Sequence, residues 1–236
     1  MDKINIEITK DYVNIVFQEN GVVVEKTGDI SDFISILKNV NSKYISPTFP
    51  DSFKKMIRVN DYNIFFFYFP ETTIYNYDHL GNSYDLKVPN TVLVAHCRDI
   101  GGGLFALERS SFYAIKDVWV SSEDFPIFFW PFPNQNPDIL SNVCWGSNAA
   151  IEAFKTSCTV HNLASLYYIF FGSSGNNDYG WNIKSGIKGD MPDIFKNPAQ
   201  FPYDELREIV VIDKNSGMAV PMTLSNLMIK LVGEEK

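Results

Sequence analysis

Cationic side chains are scarce in this chain: 20 Lys and Arg stand against 28 Asp and Glu, giving a formal charge of −8 and a pI near 4.9. No run of Lys or Arg interleaves with aromatic residues. The electrostatic footprint that nucleic-acid binding requires is therefore missing, and nucleic acid is excluded as the main partner. Long apolar runs are missing too. The longest, Ile64 to Pro70, is strand-sized, far short of the roughly 18 residues of a membrane-spanning helix. The opening Met1-Asp2-Lys3-Ile4-Asn5 has no basic region followed by an apolar stretch, so no targeting signal is read there. A cytoplasmic location without a membrane partner is the expectation. Cysteine is sparse: Cys97, Cys144 and Cys158 make no even disulfide set and no metal-ligand spacing, so a reducing compartment is the default. No metal and no cofactor are expected. His79, read as lying in a turn, and His96, inside a strand, have no second His or carboxylate at ligand spacing and read as structural.

Aromatic residues are abundant instead, 15% of the chain with 19 Phe and 12 Tyr, and these favour a sheet-rich core. A length of 236 residues suffices for one large domain, or a core with an extension, without a disulfide or metal staple. Between Lys54 and Leu107 the pattern is strand after strand: Met56 to Val59, Ile64 to Phe69, Thr72 to Tyr77, Thr91 to Cys97 and Leu104 to Leu107. Turn residues at Asn60-Asp61, Pro70, Gly81-Asn82, Pro89-Asn90 and Gly101 to Gly103 separate them, which describes an antiparallel meander. Gly101 to Gly103 is not a phosphate loop, because no Lys-Ser/Thr follows and Leu104 to Leu107 reads as a strand.

Upstream, residues 4 to 26 alternate in polarity, and Asn20-Gly21 supplies the positive φ angles of a tight hairpin. Asp29 reads as the N-cap of a helix with Ile30, Phe33, Ile34, Leu37 and Val40 at helical spacing. The Ser46-Pro47-Thr48-Phe49-Pro50 stretch cannot continue it. Residues 1–50 therefore read as a hairpin-plus-helix extension and 51–236 as the main domain. Downstream, Ile127 to Trp130 is a last strand of the meander. A short helix starts at Ser147 or Asn148, and a second, through Leu163 and Phe170, stops at Gly172. Residues 172–190 read as a long loop, either a substrate-gating flap or an unstructured insertion. A final hairpin spans Ile209 to Pro221, and Thr223 caps a terminal helix. Strands first and helices after give an α+β fold, helices packed on a meander.

The chemistry concentrates between Pro131 and Asn162. Pro131-Phe132-Pro133-Asn134 is followed by the polar turn Asn136-Pro137-Asp138 and then by Asn142-Val143-Cys144-Trp145-Gly146-Ser147-Asn148. One cysteine thus stands at the end of a Pro-punctuated extended segment among amide donors and turn formers, where a thiol can be approached. Cys97 and Cys158 read instead as small buried hydrophobes.

This segment resembles the active-site region of ubiquitin-conjugating (E2) enzymes, whose pattern is His-Pro-Asn, a loop, then the acceptor cysteine. It is most similar to the prokaryotic E2-like family D, the PRTRC system protein B family. There a Pro-x-x-Asn, a Val-Cys-x-Gly-Ser step and a Ser-x-x-Thr/His-Asn element recur in order, here Pro131 to Asn134, Val143 to Ser147 and Ser157 to Asn162. The resemblance covers roughly Val88 to Leu206 and implies an E2/UBC-like core carrying the N-terminal extension. Two features differ from the E2 pattern. Phe132 stands where an E2 has His. Asn134 lies ten residues before Cys144, further than in the eukaryotic enzymes, so the loop must bulge for the Asn to reach the thiol.

The resemblance implies acyl transfer through a thioester. An adenylating E1-like (ThiF-type) partner would supply a ubiquitin-like protein to Cys144, and an amine would then attack the thioester. A neutral amide suits the oxyanion of the tetrahedral intermediate. Asn134 is the first candidate, with a turn-forming role as its alternative, and Asn142 is a second donor. His161 either deprotonates the incoming amine or caps the following helix. Two other readings stay open: a non-catalytic E2-fold interaction module or mobile-element accessory protein, in which Trp145 and Phe128-Phe129-Trp130 serve as packing or contact residues and Cys144 is incidental, and a Cys-His hydrolase built on Cys144 and His161.

Overall fold

The structure is a computed structural model of the chain. It describes the backbone of residues 5–8, 12–19 and 22–29, and residues 49–120, 124–140, 142–146, 148–173, 180–186, 191–195, 200–213 and 216–234. The chain divides into two compact units, Met1–Pro47 and Thr48–Lys236. In the first, β1 (Asn5–Ile8), β2 (Tyr12–Glu19) and β3 (Val22–Asp29) form an antiparallel sheet in that order. It has one strand more than a hairpin. Glu19 pairs with Val22, the register that a two-residue Asn20-Gly21 connection sets. The helix expected over Ile30 to Val40 lies outside the described residues.

The second unit is α+β, built on a five-stranded antiparallel sheet. Its strands are β4 (Phe53–Val59), β5 (Tyr62–Phe69), β8 (Asn90–Gly101), β9 (Leu104–Ile115) and β10 (Phe128–Phe129), in the order β10-β9-β8-β5-β4. The meander is interrupted. β6 (Thr72–His79) and β7 (Asn82–Val88) leave the sheet as a separate hairpin, so β5 pairs with β8. Strand β7 was not expected, and His79 ends β6 rather than sitting in a turn. Gly101 pairs with Leu104 across the β8–β9 tip, where φ of +64° at Gly102 and +76° at Gly103 requires residues without a Cβ.

The sheet is buried on both faces, which explains the uninterrupted apolar run in β5. Phe65, Phe67 and Phe69 project to one side and Ile64, Phe66 and Tyr68 to the other, as the two-residue period of a strand dictates. The first face is covered by α1 (Ala149–Thr156), α2 (Val160–Ala164) and α3 (Leu166–Gly172), by the β6–β7 hairpin, and by buried residues between Trp130 and Leu206. The second is covered by α4 (Leu224–Glu234) with Phe125, Ile127, Ile209 and Met222. Two Thr-x-x-Asn boxes start helices. Asn162 N donates to Thr159 Oγ1 at 3.2 Å and Asn226 N to Thr223 Oγ1 at 3.3 Å, each Asn side chain accepting in return, a reciprocal cap of two backbone donors. The helix expected through Leu163 and Phe170 is broken at Ser165 into α2 and α3. Of the loop expected over 172–190, residues 180–183 are core rather than flap, with Trp181 and Ile183 buried and Asn182 N donating to Pro131 O at 2.9 Å, while residues 184–186 are exposed. β11 (Val210–Ile212) and β12 (Ala219–Pro221) form the last hairpin. Among the described residues no helix is long and apolar enough to cross a membrane.

Candidate active site

The site is assembled on the outer edge of β9, which β10 covers for only two residues, Tyr113 and Ala114. Beyond that point the edge needs other partners, since unpaired backbone groups in a buried position are costly. Pro131 and Pro133 cannot donate to a ladder, and the chain leaves it there. Trp130 and Phe132 turn into the first core, where Trp130 lies 5.0 Å from the Phe112 ring and Phe132 5.6 Å from Phe195 and 5.9 Å from Trp181. Phe132 is fully buried and serves as packing.

Asn134 follows at φ +71°, a left-handed conformation that Asn tolerates better than most residues. The turn aims Gln135 back at β9. Its Oε1 accepts from Phe112 N and its Nε2 donates to Phe112 O, both at 2.8 Å, so one buried carboxamide replaces the peptide group of an absent strand. Asn136, Pro137 and Asp138 are exposed, while Ile139 and Leu140 pack against the second core and Tyr113 donates its hydroxyl to Ile139 O at 2.6 Å. The excursion therefore wraps the sheet edge and returns at Val143. There Val143 N donates to Ser110 O at 2.8 Å, and Cys144 N donates to Asn134 O at 2.6 Å.

Three residues in extended alternation fix the thiol. Val143 is buried, and Trp145 is half-buried, with its indole N–H on Ser110 Oγ at 2.9 Å. Both neighbours are thus anchored to Ser110, and Cys144 between them faces outward and is exposed. Gly146, at φ +57°, ends the extended run. Asn148 then caps α1, accepting from Ala150 N at 3.0 Å and donating to Ser173 Oγ at 3.1 Å.

The structure therefore joins the backbones of Asn134 and Cys144 by a hydrogen bond despite their ten-residue separation. Asn134 is itself buried, at 7% exposure, and Asn142 is exposed two residues before the thiol. His161 is placed elsewhere. It lines a groove of about 580 Å³ with Lys54, Tyr68, Phe69 and Tyr168, and Cys144 is not part of that lining. Nor does His161 cap its helix, a role held by Thr159 and Asn162.

Comparison of the chain with family models, with curated proteins and with solved structures finds no match.

The remaining cysteines are sealed, as the sequence implied. Cys97 is fully buried, and burial pushes its thiol well above the usual range, helped by the nearby Cys158 and Glu108. Cys158 exchanges backbone hydrogen bonds with Phe105 on the β9 edge, at 2.8 and 2.7 Å, and burial raises its pKa to about 11. Both thiols are therefore held in the unreactive protonated form at neutral pH. No group of three or more His, Cys, Asp or Glu able to hold a metal occurs among the described residues. Sequence reasoning overlooked Ser110 and Gln135. Ser110 lies 34 positions before Cys144 with no spacing signal to link them, and Gln135 was hidden behind the more familiar Asn134.

Proposed function

We propose that this protein carries a ubiquitin-like modifier as a thioester on Cys144 and passes it to an amine. The observation that carries the reading is the exposed Cys144 held by its own N–H to the carbonyl of a buried Asn134. The Cys144 thiolate attacks the C-terminal carbonyl of the modifier held on an E1-like partner; the new S–C bond forms as the E1 thiolate leaves. An amine then attacks that thioester, its nitrogen loses a proton, the amide forms, and the Cys144 thiolate is released. Each attack places negative charge on the carbonyl oxygen, for which the Asn134 and Asn142 amides are the candidate donors. An exposed thiol suits an acyl group that arrives activated.

His161 lines a groove that does not include Cys144, which lends no support to a Cys-His hydrolase. The non-catalytic module remains the second reading, favoured by the loss of the E2 histidine to core packing at Phe132. Its contact surface cannot be the run from Phe128 to Trp130, since Phe128 and Trp130 are buried. Thioester trapping decides. Incubation with an E1-like enzyme, ATP and a ubiquitin-like protein is expected to give an adduct on non-reducing gels that thiol reagents release and Cys144→Ala abolishes. An adduct that survives in Cys144→Ala, or turnover of an activated ester without ATP, overturns the conjugation reading.

A further inference from the structure

The sheet ends at β4, and no strand among the described residues pairs with its outer side. The exposed residues of this edge are Lys54, Lys55, Met56 and Arg58, three cations within five positions in a chain of net charge −8, of which Arg58 also lies 3.7 Å from the Asp99 carboxylate. Alternation sends Lys55 and Ile57 to the α4 side, opposite Phe66 and Ile64 of β5. On that side an apolar groove of about 550 Å³ opens between the strand and α4, lined by Ile57, Met228, Ile229 and Val232 with Lys55 at its rim. Ile229 is 71% exposed. A free strand edge, an apolar groove flush with one face of it and a cluster of one charge sign are the elements of peptide recognition by strand addition. There the backbone supplies affinity and pockets for alternate side chains supply selectivity.

We propose that β4 is the docking edge for an extended acidic segment of a partner protein, which adds to the sheet as a sixth strand. Its backbone pairs with β4 over about 20 Å, the span of six residues at about 3.3 Å each. Aliphatic side chains on one face enter the Ile57–Met228–Ile229–Val232 groove, and acidic side chains beside them meet Lys55 on that face and Lys54 and Arg58 along the edge. Charge identifies the occupant. A second copy of this chain pairing antiparallel about Met56 would set Lys54 against Arg58 of the other copy, and like charges directly opposite one another destabilise a strand pair. The inference does not depend on the thioester chemistry.

The test uses the full chain and the fluorescein-labelled octapeptide Ile-Glu-Glu-Glu-Ile-Glu-Glu-Glu, which as a strand sets Ile and Glu by turns on one face and Glu alone on the other, read by fluorescence polarisation. Saturable binding is expected, weakening as salt rises, and falling roughly tenfold, about 1.4 kcal/mol, in Ile229→Asp and in Lys55→Glu. Both sites are exposed and leave the core intact. The same peptide with alternate backbone amides N-methylated is expected not to bind, and one with Lys in place of Glu is expected to bind Lys55→Glu/Arg58→Glu better than the parent. Amide exchange within β4 should slow on binding. Any of four results overturns the proposal: no saturation, equal binding of the N-methylated peptide, affinity unchanged by both variants, or a self-association that Ile229→Asp abolishes. In the first three the cations only guard the edge against pairing.

Discussion

Replacing Gln135 by Glu exchanges one amino group for oxygen where the side chain stands in for a strand. The parent carboxamide accepts from Phe112 N and donates to Phe112 O, both at 2.8 Å and buried. An ionised carboxylate keeps the first bond and sets two oxygens facing each other in place of the second, whereas its protonated form donates and restores both. The introduced carboxyl therefore has a folded-state pKa above its unfolded value. Its contribution is fully present below the unfolded pKa of about 4.3 and is lost as pH rises through the folded one. Buried carboxyls rise by up to about 3–5 units. At about 1.4 kcal/mol per unit, a 3-unit rise makes the variant about 4 kcal/mol less stable at pH 8 than in its protonated state. Urea denaturation followed by tryptophan fluorescence, parent against variant at pH 4.5, 6 and 8, isolates the effect because other titrations cancel in the difference. Gln135→Met removes both bonds at every pH and should show a pH-independent deficit of roughly 2–4 kcal/mol. A Gln135→Glu deficit that stays flat, or shrinks toward pH 8, would refute the idea that this carboxamide closes the β9 edge.

Two further outcomes are expected. Burial, with the Arg109 cation adding to it, lowers the pKa of His96 to about 3. Because the unfolded chain takes the proton near pH 6.5, stability is full above that value and declines as pH falls toward 3, by about 2 kcal/mol at pH 5. Comparing urea midpoints at pH 7.5 and 5 in the parent and in His96→Leu checks this, and an equal slope in the two proteins counts against it. Phe132→His, which rebuilds the E2 tripeptide, should lose about 3 kcal/mol or more, because it trades a fully buried ring among Trp130, Phe171, Trp181 and Phe195 for a polar one. A variant with the parent's denaturation midpoint would show that the ring is no anchor of this core.

Local patterns were legible where one side chain's period decided the matter. The Ile64 to Phe69 run, the β2–β3 register, the turn at Gly101 to Gly103 and the Thr223 cap follow from strand alternation and from backbone donors that need acceptors, and of the two candidate caps for α1 it is Asn148 that holds the role. β7 was overlooked although Tyr84, Leu86 and Val88 alternate with Asp85 and Lys87, because Gly81-Asn82 read as a separator rather than as a hairpin tip. The departure of β6–β7 from the sheet could not be read at all. Whether a hairpin stays in a sheet depends on which face its neighbours need covered, and Tyr77, Leu86 and Val88 are claimed by the first core. Trp181 and Ile183 were lost among Gly, Ser and Asn for the same reason, since composition averages over a loop while burial is settled residue by residue.

The exposure of Cys144 follows from what the edge of β9 requires. Phe112 takes a side-chain amide, Ser110 takes the backbone of Val143 and the indole of Trp145, and Phe105 takes Cys158. Once residues 143 and 145 are both committed to Ser110, the residue between them must face away from the sheet, whatever its identity. Asn134, whose carbonyl holds the N–H of residue 144, closes the other side. Two features of this segment then have one origin. Position 132 lies on the stretch that must fill the first core, which favours a phenyl ring over an imidazole. The residues between Asn134 and Cys144 carry Ile139 and Leu140 around the sheet edge to the second core. Packing thus requires an outward-facing residue at position 144 but not a cysteine, and a thiol exposed there calls for a chemical reason.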